Sequence, residues 1–212
     1  MKNAIAIVCL MWCMGSLHAQ NTSRQITEYA EFKPAVIHLM TGRDVTITKA
    51  NIFLKNSRLL YKSGTKTKQA RTANVKSVDF ADRTYVRIDT LLAYPVDTVG
   101  TNTLYCARMI DMAAFNAMII NNRQITDLSI GEQVGMTTLE LINEENVEYP
   151  IVNHYFFSYR GKVVRAQDRE VLRLTPKPLR RNYWTVVREN GFSWDSEASL
   201  MKLLKAITEG GQ

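Results

Sequence analysis

VKSVDFADRTYVRIDTLLAYPVDTVGTNTLYCARMI, residues 75–110, is the stretch on which the fold turns. Its apolar residues recur at every second position: Val86 and Ile88 share a face of one strand, and Leu92, Tyr94 and Val96 share a face of the next. A period of two places one parity on one face of a strand. The stretch therefore divides into strands at 75–80, 84–89, 91–99 and 103–110, with Gly100-Thr101-Asn102 turning the chain before the last. Pro95 has no N–H to give to a ladder, so it marks an edge or a bulge within its strand.

The same texture extends on both sides. Upstream, Val45 and Ile47 alternate with Thr46 and Thr48, and two short apolar runs at 50–55 and 58–62 flank Asn56-Ser57, as in a hairpin. Residues 62–74 are Lys-Thr-rich and aperiodic, which predicts an exposed loop, and residues 20–33 read as a flexible lead-in. Downstream, the alanines and methionines of 112–120 predict a short helix stopped by Asn121-Asn122. Strands resume at 125–130, 137–143, 148–159 and 162–166, with Arg160-Gly161 as the two-residue turn joining the last pair. In Tyr155-Phe156-Phe157-Ser158-Tyr159, alternation puts Tyr155, Phe157 and Tyr159 on one face and Phe156 on the other, as in a strand buried on both sides.

The period then changes. Leu179, Tyr183, Val186 and Val187 form a helical stripe opened by Thr175-Pro176 and closed by Asn190-Gly191, with Phe192 folding back on the last turn. Asp195 or Ser196 caps a second helix striped by Leu200, Leu203, Leu204 and Ile207 and ended by Gly210-Gly211. Trp184 and Trp194 are placed to seal this hairpin against the sheet. The expected fold is mainly β: an antiparallel sandwich, roll or barrel over 34–175, closed by a C-terminal α-helical hairpin at 176–212, α+β overall.

The N-terminus belongs to another category. Lys2 precedes the twelve-residue apolar run 4–15, and Ser16-Leu17-His18-Ala19-Gln20 follows. A basic start, a short apolar core and a small residue at the cut make a secretory signal, so residues 1–19 are expected to be removed between Ala19 and Gln20. The run is shorter than the roughly 20 residues a membrane-spanning helix needs. Neither Cys9 nor Cys13 follows the Leu-small-small tripeptide that lipidation requires. The expected mature chain is periplasmic or secreted, has no transmembrane span, and keeps Cys106 as a lone thiol within the apolar run Leu104-Tyr105-Cys106-Ala107. A lone thiol in an exported protein belongs in a core.

Loss of Lys2 takes the net charge from +7 to +6, and residues 160–181 hold an equal excess. They carry Arg160, Lys162, Arg165, Arg169, Arg173, Lys177, Arg180 and Arg181 against Asp168 and Glu170. Such a concentration suits an anionic partner: an envelope protein, an acidic glycan or an anionic lipid surface. Export argues against nucleic acid, including for a helix-turn-helix reading of the C-terminal hairpin.

Catalytic and cofactor motifs give no lead. His38 and His154 are far apart in sequence, and neither a His-x-x-x-His nor a Cys-x-x-Cys pair is present. Gly131-Glu-Gln-Val-Gly135 lacks the Lys-Ser/Thr ending of a phosphate loop. Paired carboxylates remain as an alternative, a glycan-directed hydrolase using Asp79, Asp82, Asp89, Asp97 or Asp111, but each aspartate also suits turn capping. No cofactor or metal site is expected.

The leader ending Leu-His-Ala-Gln resembles those of exported proteins of Bacteroides-type Gram-negative bacteria. Ala50-Asn-Ile-Phe-Leu-Lys-Asn-Ser-Arg-Leu-Leu-Tyr61 followed by Val75-Lys-Ser-Val-Asp-Phe80 resembles a group of β-rich periplasmic proteins without assigned activity. That resemblance implies the envelope as compartment and transfers no catalytic residue. The expectation is a non-enzymatic binding or accessory protein of the cell envelope, meeting an anionic partner through Arg160, Lys162, Arg165, Arg169 and Arg173.

Overall fold

The computed structural model describes residues 22–121 and 148–209. The expected leader with its cut at Ala19 and Gln20, the expected strands at 125–130 and 137–143, the loop Gly131–Gly135 and the glycine pair at 210–211 lie outside the described residues.

The strands are β1 (Thr22–Ser23), β2 (Lys33–Leu39), β3 (Asp44–Phe53), β4 (Arg58–Ser63), β5 (Lys66–Gln69), β6 (Val75–Phe80), β7 (Thr84–Ile88), β8 (Leu91–Val99), β9 (Asn102–Ile110), β10 (Tyr149–Tyr159) and β11 (Lys162–Arg165). The helices are α1 (Met112–Asn121), α2 (Asp168–Leu174), α3 (Arg180–Val187) and α4 (Glu197–Glu209). All described strands join one antiparallel sheet in the order β1-β10-β9-β8-β7-β6-β2-β3-β4-β5, with β11 also on β10. The sheet is curled into a half-barrel, and the C-terminal helices α3 and α4 pack together.

Pro95 lies beside the point where β8 passes from one neighbour to the next. Val86, Arg87 and Ile88 of β7 pair with Ala93, Leu92 and Leu91 of β8, whereas from Tyr94 onward β8 pairs with β9. The register slips between Pro95 and Asp97, the bulge that a residue without N–H permits. The curl is tied across its open side by the β3–β4 turn. Ser57, in the left-handed region at φ 48°, accepts the Leu92 N–H at its carbonyl over 2.9 Å and donates its hydroxyl to the Leu92 carbonyl over 2.6 Å. The Leu54 carbonyl accepts the Ile110 N–H over 2.8 Å.

Two large cores result. The concave side of β2–β4 and β6–β8 encloses Ala35, Ile37, Ala50, Ile52, Leu59, Val75, Val78, Phe80, Tyr85 and Leu92. The C-terminal helices cover Leu104, Cys106, Tyr155, Phe157 and Tyr159 of β9 and β10 with Val171, Tyr183, Val186, Leu200, Leu203, Leu204 and Ile207. The stripe of α4 is fully enclosed, Leu200, Leu203, Leu204 and Ile207 each being 0% exposed. Burial of side chains of this size contributes roughly 1.5–3 kcal/mol apiece, which is why the period-3.6 pattern forms a helix here. Ser196 caps it by accepting the Ser199 N–H at Oγ over 3.3 Å. Gly191, at φ 90°, turns the chain between α3 and α4.

Three expectations need correction. The stretch 62–74 is not an open loop: Lys66–Gln69 pairs with β4 through a turn in which Gly64 has φ 63°, and Thr72–Asn74 forms one 3-10 turn. An edge strand has one free side and needs no apolar alternation, and its lysines discourage further pairing. The lead-in is not free from Thr22 onward. Thr22 and Ser23 pair with β10, Thr27 bridges Phe53, and the Glu28 N–H donates to the Ile52 carbonyl over 2.9 Å. The helical layer begins at Asp168, before the expected boundary at 176, because Val171 is buried under the hairpin. At seven residues α2 is too short for its apolar positions to show a helical period.

Candidate functional site

The basic segment lies at the corner where β11 leads into α2. Arg160, Lys162, Arg165, Arg169, Arg173, Lys177, Arg180 and Arg181 are all exposed. Both acids of the segment are engaged. Asp168 Oδ1 accepts the buried Tyr183 hydroxyl over 2.6 Å, and Glu170 pairs with Arg173 over 3.2 Å. No other cation of the segment forms a carboxylate pair among the described residues. Arg160 lies over the Tyr159 ring at 5.4 Å, and Arg165 Nη2 donates to His154 Nδ1 over 2.9 Å. Burial, then the charge of Arg165, pulls the His154 imidazole below its ordinary pKa, so it takes that bond as a neutral acceptor.

These cations do not all face one way. Lys162 pairs with Tyr159 and Val164 with Phe157, on the helix-covered side, whereas Arg165 pairs with Phe156 on the opposite side. The strand's alternation splits what sequence proximity had grouped. Arg169 and Arg173, four residues apart on α2, share one helix face.

A second constellation was not anticipated. It lies on the seam between the two cores. Tyr94 pairs with Cys106, Cys106 with Tyr155, and Arg108 with Asn153, so these side chains share one sheet face. From the N-terminal segment, Glu28 reaches into this face with its side chain 6% exposed. Its carboxylate accepts from Arg83 Nη1 over 3.1 Å and from Arg108 Nη1 over 3.2 Å at each oxygen. Arg83 stacks over the Tyr94 ring at 4.0 Å, and rings continue from Tyr94 through Tyr85 and Phe80 to Tyr29 at centroid spacings of 5.8, 5.8 and 4.9 Å. Burial raises the pKa of Tyr29, Tyr85 and Tyr94, and it pushes the Cys106 thiol to about 11. Cys106 is thus a core thiol, as its apolar run predicts.

One signal for this seam was present in the sequence. Arg108 and Asn153 are polar residues at positions of core-facing parity in two largely apolar strands. Glu28 carried none, because its segment has no periodicity.

The remaining candidates have structural partners. His38 sits on the outer face of β2 with Nδ1 2.7 Å from Asp44 and Nε2 2.8 Å from Asp79. With a carboxylate at each nitrogen both must donate, and the hydrogen bonds given to Asp79 and then to Asp44 raise its pKa. Burial is the largest influence on Asp79 and opposes its charge, but the hydrogen bonds with His38 and Thr84 and the attraction of His38 together outweigh it and hold that carboxyl below its ordinary value. Asp82 pairs with Lys33, and Asp89 takes φ 54° in the β7–β8 turn. Asp97 Oδ1 accepts the Thr98 N–H, and Asp111 Oδ1 accepts the Ala113 and Ala114 N–H groups as the cap of α1. Among the described residues no His/Cys/Asp/Glu group has metal-binding geometry, and no helix is long and apolar enough to cross a membrane.

Comparison with protein-family models, with curated proteins and with solved structures finds no match to this chain.

Proposed function

We propose that this protein is a non-enzymatic binding or accessory protein of the bacterial cell envelope that engages an anionic partner through the β11–α2 corner. The observation that carries this reading is the uncompensated charge there. Eight exposed cations stand in one stretch of chain whose two acids are both engaged. An unscreened set of this kind attracts anions at low ionic strength and loses its reach as the Debye length shrinks to about 8 Å in physiological salt. The reading of an exported compartment rests on the leader expected at residues 1–19. Binding is preferred over glycan hydrolysis because Asp79, Asp82, Asp97 and Asp111 serve as hydrogen-bond, ion-pair and capping partners of the fold.

Charge reversal tests it. The variant Arg165→Glu/Arg169→Glu/Arg173→Glu should leave membrane fractions at low salt and should no longer sediment with phosphatidylglycerol vesicles. Phosphatidylcholine vesicles should bind neither protein. Unchanged fractionation of a folded triple variant would defeat the reading.

A further inference from the structure

We propose that the end of the sheet formed by the β2–β3 and β4–β5 turns is a docking tip for an anionic lipid surface. Charge is the first observation. Between Asp44 and Asp79 the chain carries eight lysines and arginines and not one acid, an excess larger than that of residues 160–181 and separate from it. The two flanking aspartates are both bonded to His38. None of the eight cations forms a carboxylate pair among the described residues.

Antiparallel pairing gathers part of this charge at one end. β3 leaves the β2–β3 turn at Asp44, β4 returns alongside it to Ser63, and β5 sets out again at Lys66. β6 starts at the same end: Leu39 pairs with Val75, and the Met40 N–H donates to the Asn74 carbonyl over 2.9 Å. Arg43, Lys62, Lys66 and Lys76 are therefore grouped about these two turns, all exposed. Lys62 pairs with Thr67 and Lys66 with Ser63, so the two lysines leave opposite faces of the hairpin and the charge surrounds the tip.

The second observation is apolar. Three large hydrophobic side chains are exposed among the described residues, and two of them, Met40 at 52% and Val45 at 37%, flank the β2–β3 turn. That turn is closed by its own backbone. The Leu39 N–H donates to the Arg43 carbonyl and the Gly42 N–H to the Leu39 carbonyl, with Gly42 at φ 80°. Met40 is thus held out on a fixed frame.

Together these select the occupant. A soluble polyanion answers the lysines and leaves Met40 and Val45 in water. An apolar partner leaves the lysines unanswered. An anionic bilayer takes both, its headgroups meeting the cations and its acyl boundary receiving the apolar side chains. Two such side chains anchor only marginally, so the β11–α2 corner supplies the rest of the hold; to that extent the inference rests on the reading above.

The test uses the whole chain with Met40→Cys carrying an environment-sensitive nitrobenzoxadiazole group, Cys106 being buried. Phosphatidylglycerol vesicles at low salt should blue-shift its emission, and phosphatidylcholine vesicles should not. The same group at Lys205→Cys, exposed on α4, should stay in water. Met40→Ser/Val45→Ser keeps the charge and should weaken vesicle binding about tenfold through lost apolar burial. Lys62→Glu/Lys66→Glu should abolish the shift. A probe at Met40 that stays in water while the protein sediments, an equal shift at Lys205, or binding unaltered by the serine pair would each overturn the tip. Sedimentation unchanged by charge reversal at the corner, with the Met40 shift intact, would defeat the corner reading and uphold the tip.

Discussion

Arg108 of β9 holds Glu28 of the N-terminal segment by a two-pronged contact, Nη1 lying 3.2 Å from each carboxylate oxygen. The two residues are 80 positions apart, and Arg83 completes the pair from the β6–β7 turn. The N-terminal segment is thereby fixed across the curl, between its backbone bonds to β3 and its pairing with β10.

Glu28→Gln should loosen this strap. Breaking a fully buried ion pair costs about 3–5 kcal/mol, but both guanidiniums here are about one-third exposed, so the expected loss is about 1–3 kcal/mol. Urea denaturation measures it. Hydrogen exchange should show the Glu28 amide losing protection before those of β9, and uniform loss across the sheet would contradict the strap.

His38 makes stability pH-dependent on the alkaline side. Its folded pKa lies above the ordinary 6.5, so its contribution is complete below that value and fades as pH rises through the folded pKa. Asp79 acts oppositely: its pKa is depressed, and its contribution is lost as pH falls through the folded value. Melting curves of the wild type and His38→Gln should differ most in mildly acidic solution and converge as pH increases. A constant offset would show that the imidazolium is not the stabilising form.

Cys106 should resist thiol reagents. Only the thiolate reacts readily, and burial holds this thiol's pKa at about 11 with the side chain enclosed. Labelling by a maleimide at neutral pH should proceed only as fast as the protein opens and should accelerate in denaturant. Rapid stoichiometric labelling of native protein would show the thiol to be accessible.

Leu203→Ala, in the fully enclosed stripe of α4, should destabilise by about 2–5 kcal/mol through lost burial and the cavity left behind. Lys202→Ala, one position away and exposed, should cost less than about 1 kcal/mol, since its pair with Glu189 is a surface one. Denaturation midpoints of the two variants give the comparison.

Asp111→Ala should fray α1. One carboxylate oxygen accepts two otherwise orphaned N–H groups, from Ala113 and Ala114, each over 3.0 Å. Loss of such a cap costs about 0.5–2 kcal/mol. Asp111→Asn should recover most of it in thermal melts, because an amide oxygen caps as well.

Local patterns told the truth about local structure. Alternation located β6 to β9, Pro95 marked the bulge, Arg160-Gly161 turned the chain at φ 50° and 78°, and the 3.6 period of α4 named the residues that are buried. Each of these depends on near neighbours in the chain, which sequence displays. The edge strand β5 and helix α2 escaped because one is open on one side and the other is two turns long, with Val171 fully buried and Leu172 and Leu174 only partly so, and neither repeats an apolar position often enough to be seen.

Sequence by itself determined the mainly antiparallel character, the helical end, the buried thiol and the concentration of positive charge, since each is a property of composition or short-range period. Tertiary structure alone decided that the strands form one curled sheet, that Lys162 and Arg165 part company on opposite faces of β11, and that Glu28, Arg83, Arg108 and Asn153 meet. These follow from strand register and from how the curl brings distant segments together. Both depend on cross-strand hydrogen bonds between residues that the chain keeps far apart.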